Sequence, residues 1–152
     1  MNFTVLSEGH SCSCHAKATE NCIDTFARKV GDAKDLKSRD FKSHHERGVP
    51  LENASCEDVC GHRGVSIFVW NSESKTYILD KFSLTFGISP MIKRPKYQLG
   101  VFQVAQGLGK VKHTPNQKHG VEIYHYDLYK CDDFAVENLV LVDLLPLFTP
   151  NV

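Results

Sequence analysis

No apolar run in the chain approaches the roughly 20 residues a bilayer span needs; the longest candidate, Leu139 to Phe148, is interrupted by Asp143 and Pro146. Met1 to Leu6 has neither a basic start nor an extended apolar stretch, so no secretory leader is expected. Net charge is missing as well, with 18 Lys+Arg against 18 Asp+Glu. That balance argues against bulk, non-specific binding of nucleic acid, which is driven by phosphate neutralisation. There is no Gly-x-Ser-x-Gly, no His-Glu-x-x-His and no dinucleotide fingerprint. Gly107-Leu108-Gly109-Lys110 fails as a phosphate loop because Val104 stands where a glycine is required. Internal repeats and low-complexity tracts are absent too. A chain of 152 residues with 41% hydrophobic content is long enough to bury a core as one domain. The expectation is a single soluble, cytoplasmic domain over residues 1–152, with no membrane partner.

What the chain does have is clustered sulfur and imidazole. Cysteines stand at 12, 14, 22, 56, 60 and 131, five of them within the first 60 residues, and His10, His15, His44, His45 and His62 share that region. Without an export signal, thiols and imidazoles concentrated together favour metal over disulfides. Two knuckles are present, His10-Ser11-Cys12-Ser13-Cys14-His15 and Cys56-Glu57-Asp58-Val59-Cys60-Gly61-His62. Zinc takes four tetrahedral thiolate or imidazole donors, usually from two such knuckles. The expected ligands of one structural zinc ion are Cys12, Cys14, Cys56 and Cys60, with His62, His15 and Cys22 in reserve. Four protein donors leave no open position for water, so the ion would stabilise rather than catalyse.

Charge is uneven along the chain. Residues 81–121 hold seven Lys/Arg and no acid, whereas residues 122–152 hold six Asp/Glu against Lys130 alone. Lys93, Arg94 and Lys96 in one loop, with Lys110 and Lys112 in another, are the candidate docking residues for a partner. A protein partner is favoured by the zero net charge. Nucleic acid is the alternative, with Tyr124 and Tyr126 as stacking rings on one strand face.

Cys22, Ile23, Phe26, Ala27 and Val30 have the i, i+3, i+4 spacing of a helix face, which predicts a helix over 19–30. Ser38 and Gly48 bracket a second helix over 39–47, and Cys56 to Cys60 fit a single further turn ended by Gly61. From Gly64 the pattern shifts to strands: 65–70, a hairpin turn at 71–74, 76–86, 97–105, 121–129 and 139–145, with 87–96 and 106–119 as loops. The expected fold is α+β. A short helical, zinc-stabilised segment (1–63) packs on a β-rich segment (64–152) that forms an antiparallel sheet or partly open barrel of about five strands.

The function this implies is a non-enzymatic binding or adaptor module. A small metal- or His-dependent hydrolase or nuclease is the alternative. It would use His125 and Asp127, two residues apart on one strand face as an imidazole and its orienting carboxylate would be, with His119 from the preceding loop.

Overall fold

In a computed structural model, residues 18–20, 24–51, 56–82, 97–117 and 120–147 are described. The centre of the fold is a six-stranded antiparallel sheet built from β1 (Thr25–Gly31), β2 (Val65–Val69), β3 (Tyr97–Gln103), β4 (Gly109–His113), β7 (His125–Lys130) and β8 (Val140–Leu147), in the order β4-β7-β2-β1-β3-β8. A two-stranded ribbon, β5 (Asn116–Gln117) with β6 (Gly120–Val121), lies in the connection before β7. Two helices, α1 (Cys56–Arg63) and α2 (Lys75–Phe82), complete the mixed α+β architecture. The strand order is linear with β4 and β8 at its ends, so among the described strands the sheet is open and not a barrel.

Alternation along the strands sends side chains to two apolar layers. On one face Phe26, Val30, Val65, Ile67, Phe102, Val111 and Leu128 pack with Leu36 and Phe41 from the segment after β1, and with Val136 and Leu139 from the segment before β8. Phe41 is fully buried and meets Phe102 edge-on at 5.3 Å between ring centroids. On the other face Ala27, Phe68, Leu99, Val101 and Leu147 lie under Ile78, Leu79 and Phe82 of α2. Each large apolar side chain withdrawn from water in this way stabilises the fold by about 1.5–3 kcal/mol.

Three expectations are corrected here. The segment read as a helix over 19–30 forms β1, which lies inside the sheet between β2 and β3; Thr19 makes a β-bridge to Val111. A strand buried on both faces, with Phe26 and Val30 on one side and Ala27 on the other, loses strict alternation, and its apolar positions then fit a helix stripe as well. The segment read as a strand over 76–86 is helix α2 as far as Phe82, and residues 83–86 lie outside the described part. Its start, read as a hairpin turn, is a helix cap. The Asn71 side-chain oxygen accepts the N–H groups of Glu73 and Ser74 at 2.9 Å each, and the Ser74 carbonyl accepts the Ile78 N–H at 2.9 Å. The loop read over 106–119 contains β4, whose lysines concealed it.

Smaller differences follow the same logic. Only Ser38–Phe41 is helical within 39–47, as one 3-10 turn, and α1 runs to Arg63, past Gly61. The fourth strand begins at His125 because residues 122–124 turn, and β8 continues through Pro146, which an edge strand tolerates. The sequence division at residue 63 is not a seam in the sheet, since β1 pairs along its length with β3.

Candidate functional site

The pairing of β2 with β7 sets Ser66 opposite Asp127 and Phe68 opposite His125, so these four side chains share the face that α2 covers. His125 and Asp127 are both buried, at 5% and 4% exposure. His125 Nδ1 lies 2.9 Å from the Thr114 carbonyl oxygen and 2.8 Å from Thr114 Oγ1, and its Nε2 lies 2.5 Å from Ser66 Oγ. A carbonyl only accepts, so Nδ1 carries the proton and Nε2 accepts from the Ser66 hydroxyl. The Thr114 hydroxyl in turn bonds the Asp127 carboxyl. The imidazole is thus oriented by Thr114, and Asp127 reaches it only through the same threonine.

Burial dominates the electrostatics of both groups. It lowers the pKa of His125, against the opposing pull of the Thr114 backbone and Glu122. It raises Asp127 to about 7, outweighing the Thr114 hydrogen bond and the nearby Lys112. One carboxylate oxygen, Oδ2 of Asp127, is buried with no hydrogen-bond partner. The arrangement is a serine hydroxyl poised on a neutral imidazole, beside a carboxyl whose pKa burial raises to about 7.

Of the remaining candidates, His119 lies outside the described residues, as do Cys12, Cys14, His15, Cys22, Lys93, Arg94 and Lys96. On α1 positions 56 and 60 are one turn apart, and Cys60 is buried at 3% exposure. His62 Nε2 faces the Val49 carbonyl at 2.5 Å. Among the described residues no group of three or more His, Cys, Asp or Glu side chains is arranged to hold a metal ion. Lys110 and Lys112 stand on β4, half-buried on a strand and not in a loop, and Lys112 pairs in register with Asp127. The two tyrosines do not share a face. Tyr126 packs edge-on against Phe26 at 5.6 Å in one layer, and Tyr124 joins the other layer and meets Tyr77 at 5.4 Å.

The sequence alone does not show Ser66 and Gly64 around the buried pair, because its pattern joins β2 to 76–86 in a hairpin and not to β7, nor Thr114, because 106–119 reads as a loop and not as a strand paired with β7. His44 and His45 are exposed in the turn over residues 44–48. The fold brings both rings to His62, at 6.3 Å and 5.7 Å between centroids. A third feature is β8, the outermost strand, where Val140, Leu141 and Val142 are exposed at 49%, 41% and 55%. No protein-family model, curated protein or solved structure matches the chain. No helix among the described residues is long and apolar enough to cross a membrane.

Proposed function

We propose that the chain is a non-enzymatic binding module that takes an extended segment of a partner protein along the outer edge of β8. The observation that carries this reading is the exposure of three consecutive aliphatic residues, Val140, Leu141 and Val142, on a sheet edge. An open edge offers backbone donors and acceptors to an added strand, and exposed apolar side chains supply the contact area. The opposite edge is treated differently. On β4 Val111 exchanges backbone hydrogen bonds with Thr19, at 2.9 and 2.7 Å, and Lys110 and Lys112 flank it.

Charge selects the occupant. Residues 131–147 carry Asp132, Asp133, Glu137 and Asp143 and no Lys or Arg. The fitting segment therefore alternates aliphatic residues with Lys or Arg. A second copy would bring these carboxylates toward their own counterparts, which disfavours it. One structural zinc ion on Cys12, Cys14, Cys56 and Cys60 belongs to the same proposal. Its support is the ligand spacing and the placement of positions 56 and 60 one helical turn apart. An intracellular location is proposed on the same ground, since metal-binding thiols persist in reducing compartments.

The test is amide hydrogen exchange on the full chain with a synthetic peptide of alternating Lys and Val, and with its Glu/Val counterpart. The Lys/Val peptide is expected to protect β8 amides, and Leu141→Lys with Val142→Lys to abolish that protection. Equal protection by both peptides, or none, overturns the reading. Dimerisation through β8 in the absence of peptide overturns the choice of occupant.

The 2.5 Å contact between Ser66 Oγ and His125 Nε2 favours a second reading, a small hydrolase with Ser66 as nucleophile and His125 as general base. Against it stands the packing of the imidazole edge-on to Phe68 at 5.3 Å, on the face covered by α2. A fluorophosphonate probe that labels Ser66 in the native protein but not in His125→Ala supports this second reading. Absence of labelling removes it.

A further inference from the structure

The ring of His125 lies edge-on to Phe68 of β2 at 5.3 Å between centroids, and Phe68 in turn lies edge-on to Phe82 of α2 at 5.3 Å. Lys81 Nζ sits over both phenylalanine rings, 5.7 Å from the Phe68 centroid and 5.8 Å from that of Phe82. The same ammonium donates to the carboxylate of Glu122. Glu122 stands just ahead of β7, and its carbonyl accepts the His125 N–H at 2.9 Å. A second link runs beside it, with Tyr77 of α2 against Tyr124 at 5.4 Å. α2 is thus strapped across Phe68 and His125 to the segment that leads into β7.

The hydrogen bonds of this imidazole match its neutral form. Nδ1 donates to the Thr114 carbonyl, and Nε2 accepts the Ser66 hydroxyl. A proton at Nε2 turns Ser66 from donor to acceptor and leaves a cation against the layer of Phe68, Ile78 and Phe82. The charged and titratable groups around the ring come from each element packed on it. They are Lys81 on α2, Glu122 ahead of β7, His113 at the end of β4, and Asp127 on β7 with Lys112 opposite it; β2 presents the Ser66 hydroxyl. Asp127 reaches the ring through Thr114, and burial favours its protonated form at mildly acidic pH. Glu122 is then the acid that balances the ring, and Lys81 already holds it. A protonated His125 therefore competes with Lys81 for one carboxylate and also repels it. β7 is fixed by backbone ladders to β2 and β4, whereas α2 meets the sheet through side chains, so α2 is the element that yields.

We propose that α2 is a proton-controlled latch: a proton on His125 breaks the Lys81–Glu122 strap and lifts α2 from the sheet, uncovering the apolar layer of Ala27, Phe68, Leu99 and Val101. Release sets in as pH falls below the ordinary imidazole range, because burial resists the charged ring. Asp127 acts in the opposite sense, since its protonation over the same interval stabilises the fold, and so it is not the trigger. The latch requires neither an occupant on β8 nor a nucleophilic Ser66.

The latch is tested by amide hydrogen exchange on the full chain, corrected for the intrinsic rate, from about pH 7.5 to about pH 5, with the His125 ring followed by NMR over the same range. Protection of the α2 amides is expected to fall at least about tenfold while β1 and β3 stay protected. The midpoint of that fall should coincide with the titration of the His125 ring. His125→Gln is expected to abolish the response, and His113→Gln, at an exposed position, to keep it. Glu122→Gln removes the strap and leaves the imidazole in place, so α2 should exchange faster already at about pH 7.5. Where His125→Gln does not fold, the two midpoints in the wild-type chain decide. The proposal is overturned by unchanged α2 protection, by parallel loss in β1 and β3, or by a midpoint displaced from that of His125. A response that survives in folded His125→Gln or vanishes in His113→Gln overturns it too, as does wild-type protection of α2 in Glu122→Gln. None of these results bears on strand addition at β8.

Discussion

Gly64 lies flat against the side chain of Asp127: a Cβ built on the glycine would fall 2.8 Å from Asp127 Cβ and 2.9 Å from Cγ. The glycine follows α1 directly, its N–H bonded to the Cys60 carbonyl at 3.0 Å, and its backbone does not need positive φ. The requirement for glycine is therefore space, set by the buried carboxyl on the neighbouring strand. Gly64→Ala is expected to destabilise the fold by about 1–3 kcal/mol through overpacking, read as a lowered urea midpoint. Gly48→Ala is the contrasting control: φ is +73° there and nothing lies within 4 Å of the added methyl. Its cost comes from backbone conformation alone, about 1–2 kcal/mol.

Asp127 and His125 make opposite contributions to the pH dependence of stability. Burial raises Asp127 to about 7 in the folded chain against 3.8 for the free group. Between those values the native state holds a proton that the unfolded state has released. This group's stabilisation is therefore complete below about pH 4 and lost as pH rises toward 7. His125 is lowered, so its contribution is present above its ordinary pKa and is lost as pH falls below it. Asp127→Asn isolates the first effect, because it removes the titration and preserves the shape. The stability of the variant relative to wild type should grow by about 2–4 kcal/mol between about pH 4 and pH 7. Parallel pH profiles of the two proteins would show that the carboxyl is already ionised in the native state.

How much was legible in advance depended on how many faces each strand buries. β2, β3 and β8 were recognisable from Val65-Ser66-Ile67-Phe68-Val69, from 97–103 and from 140–145, because β-branched and aromatic runs there are long enough to exclude other patterns. β1 was not, since burial of Phe26, Ala27 and Val30 on two faces mimics a helical stripe. In α2 the reverse happened: Ile78 and Phe82, four apart, fit one strand face as well as one helix face. The deciding information lay upstream in Asn71 and Ser74. Of the candidate site, His125 and Asp127 were visible as a same-face pair. Ser66 and Gly64 were not, because their proximity depends on the β2–β7 register, which links residues about 60 positions apart; Thr114 was hidden because it follows β4, which pairs with β7 inside a stretch that reads as a loop.

Asn71 offers a direct measure of that missed helix start. Its side-chain oxygen satisfies two backbone N–H groups ahead of α2, and Ser74 Oγ ties the cap to the Val69 carbonyl at 2.5 Å. Removing the oxygen in Asn71→Ala is expected to cost about 1 kcal/mol. Asn71→Asp should restore most of it, since a carboxylate accepts the same two hydrogen bonds and faces the favourable end of the helix dipole. Urea titrations of the three proteins provide the comparison. An alanine variant as stable as wild type would mean that the α2 cap adds nothing to the fold.

The zinc expectation is settled by stoichiometry. Protein purified under reducing conditions should carry about one zinc ion per chain. Cys60→Ser tests the proposed ligand on the part of α1 that leads into the sheet. Position 60 is buried on α1, and α1 leads through Gly64 directly into β2. Loss of an ion there should therefore be felt in the sheet as well as in the N-terminal residues. A structural site would give Cys60→Ser a lowered metal content and a melting temperature that no longer responds to chelator, whereas wild type loses stability when chelator is added. A buried thiol that serves only as a small apolar side chain predicts another pattern: full stability in Cys60→Ala, no zinc in either protein, and identical melts with and without chelator. Metal analysis and the paired melts separate the two cases without knowledge of the partner.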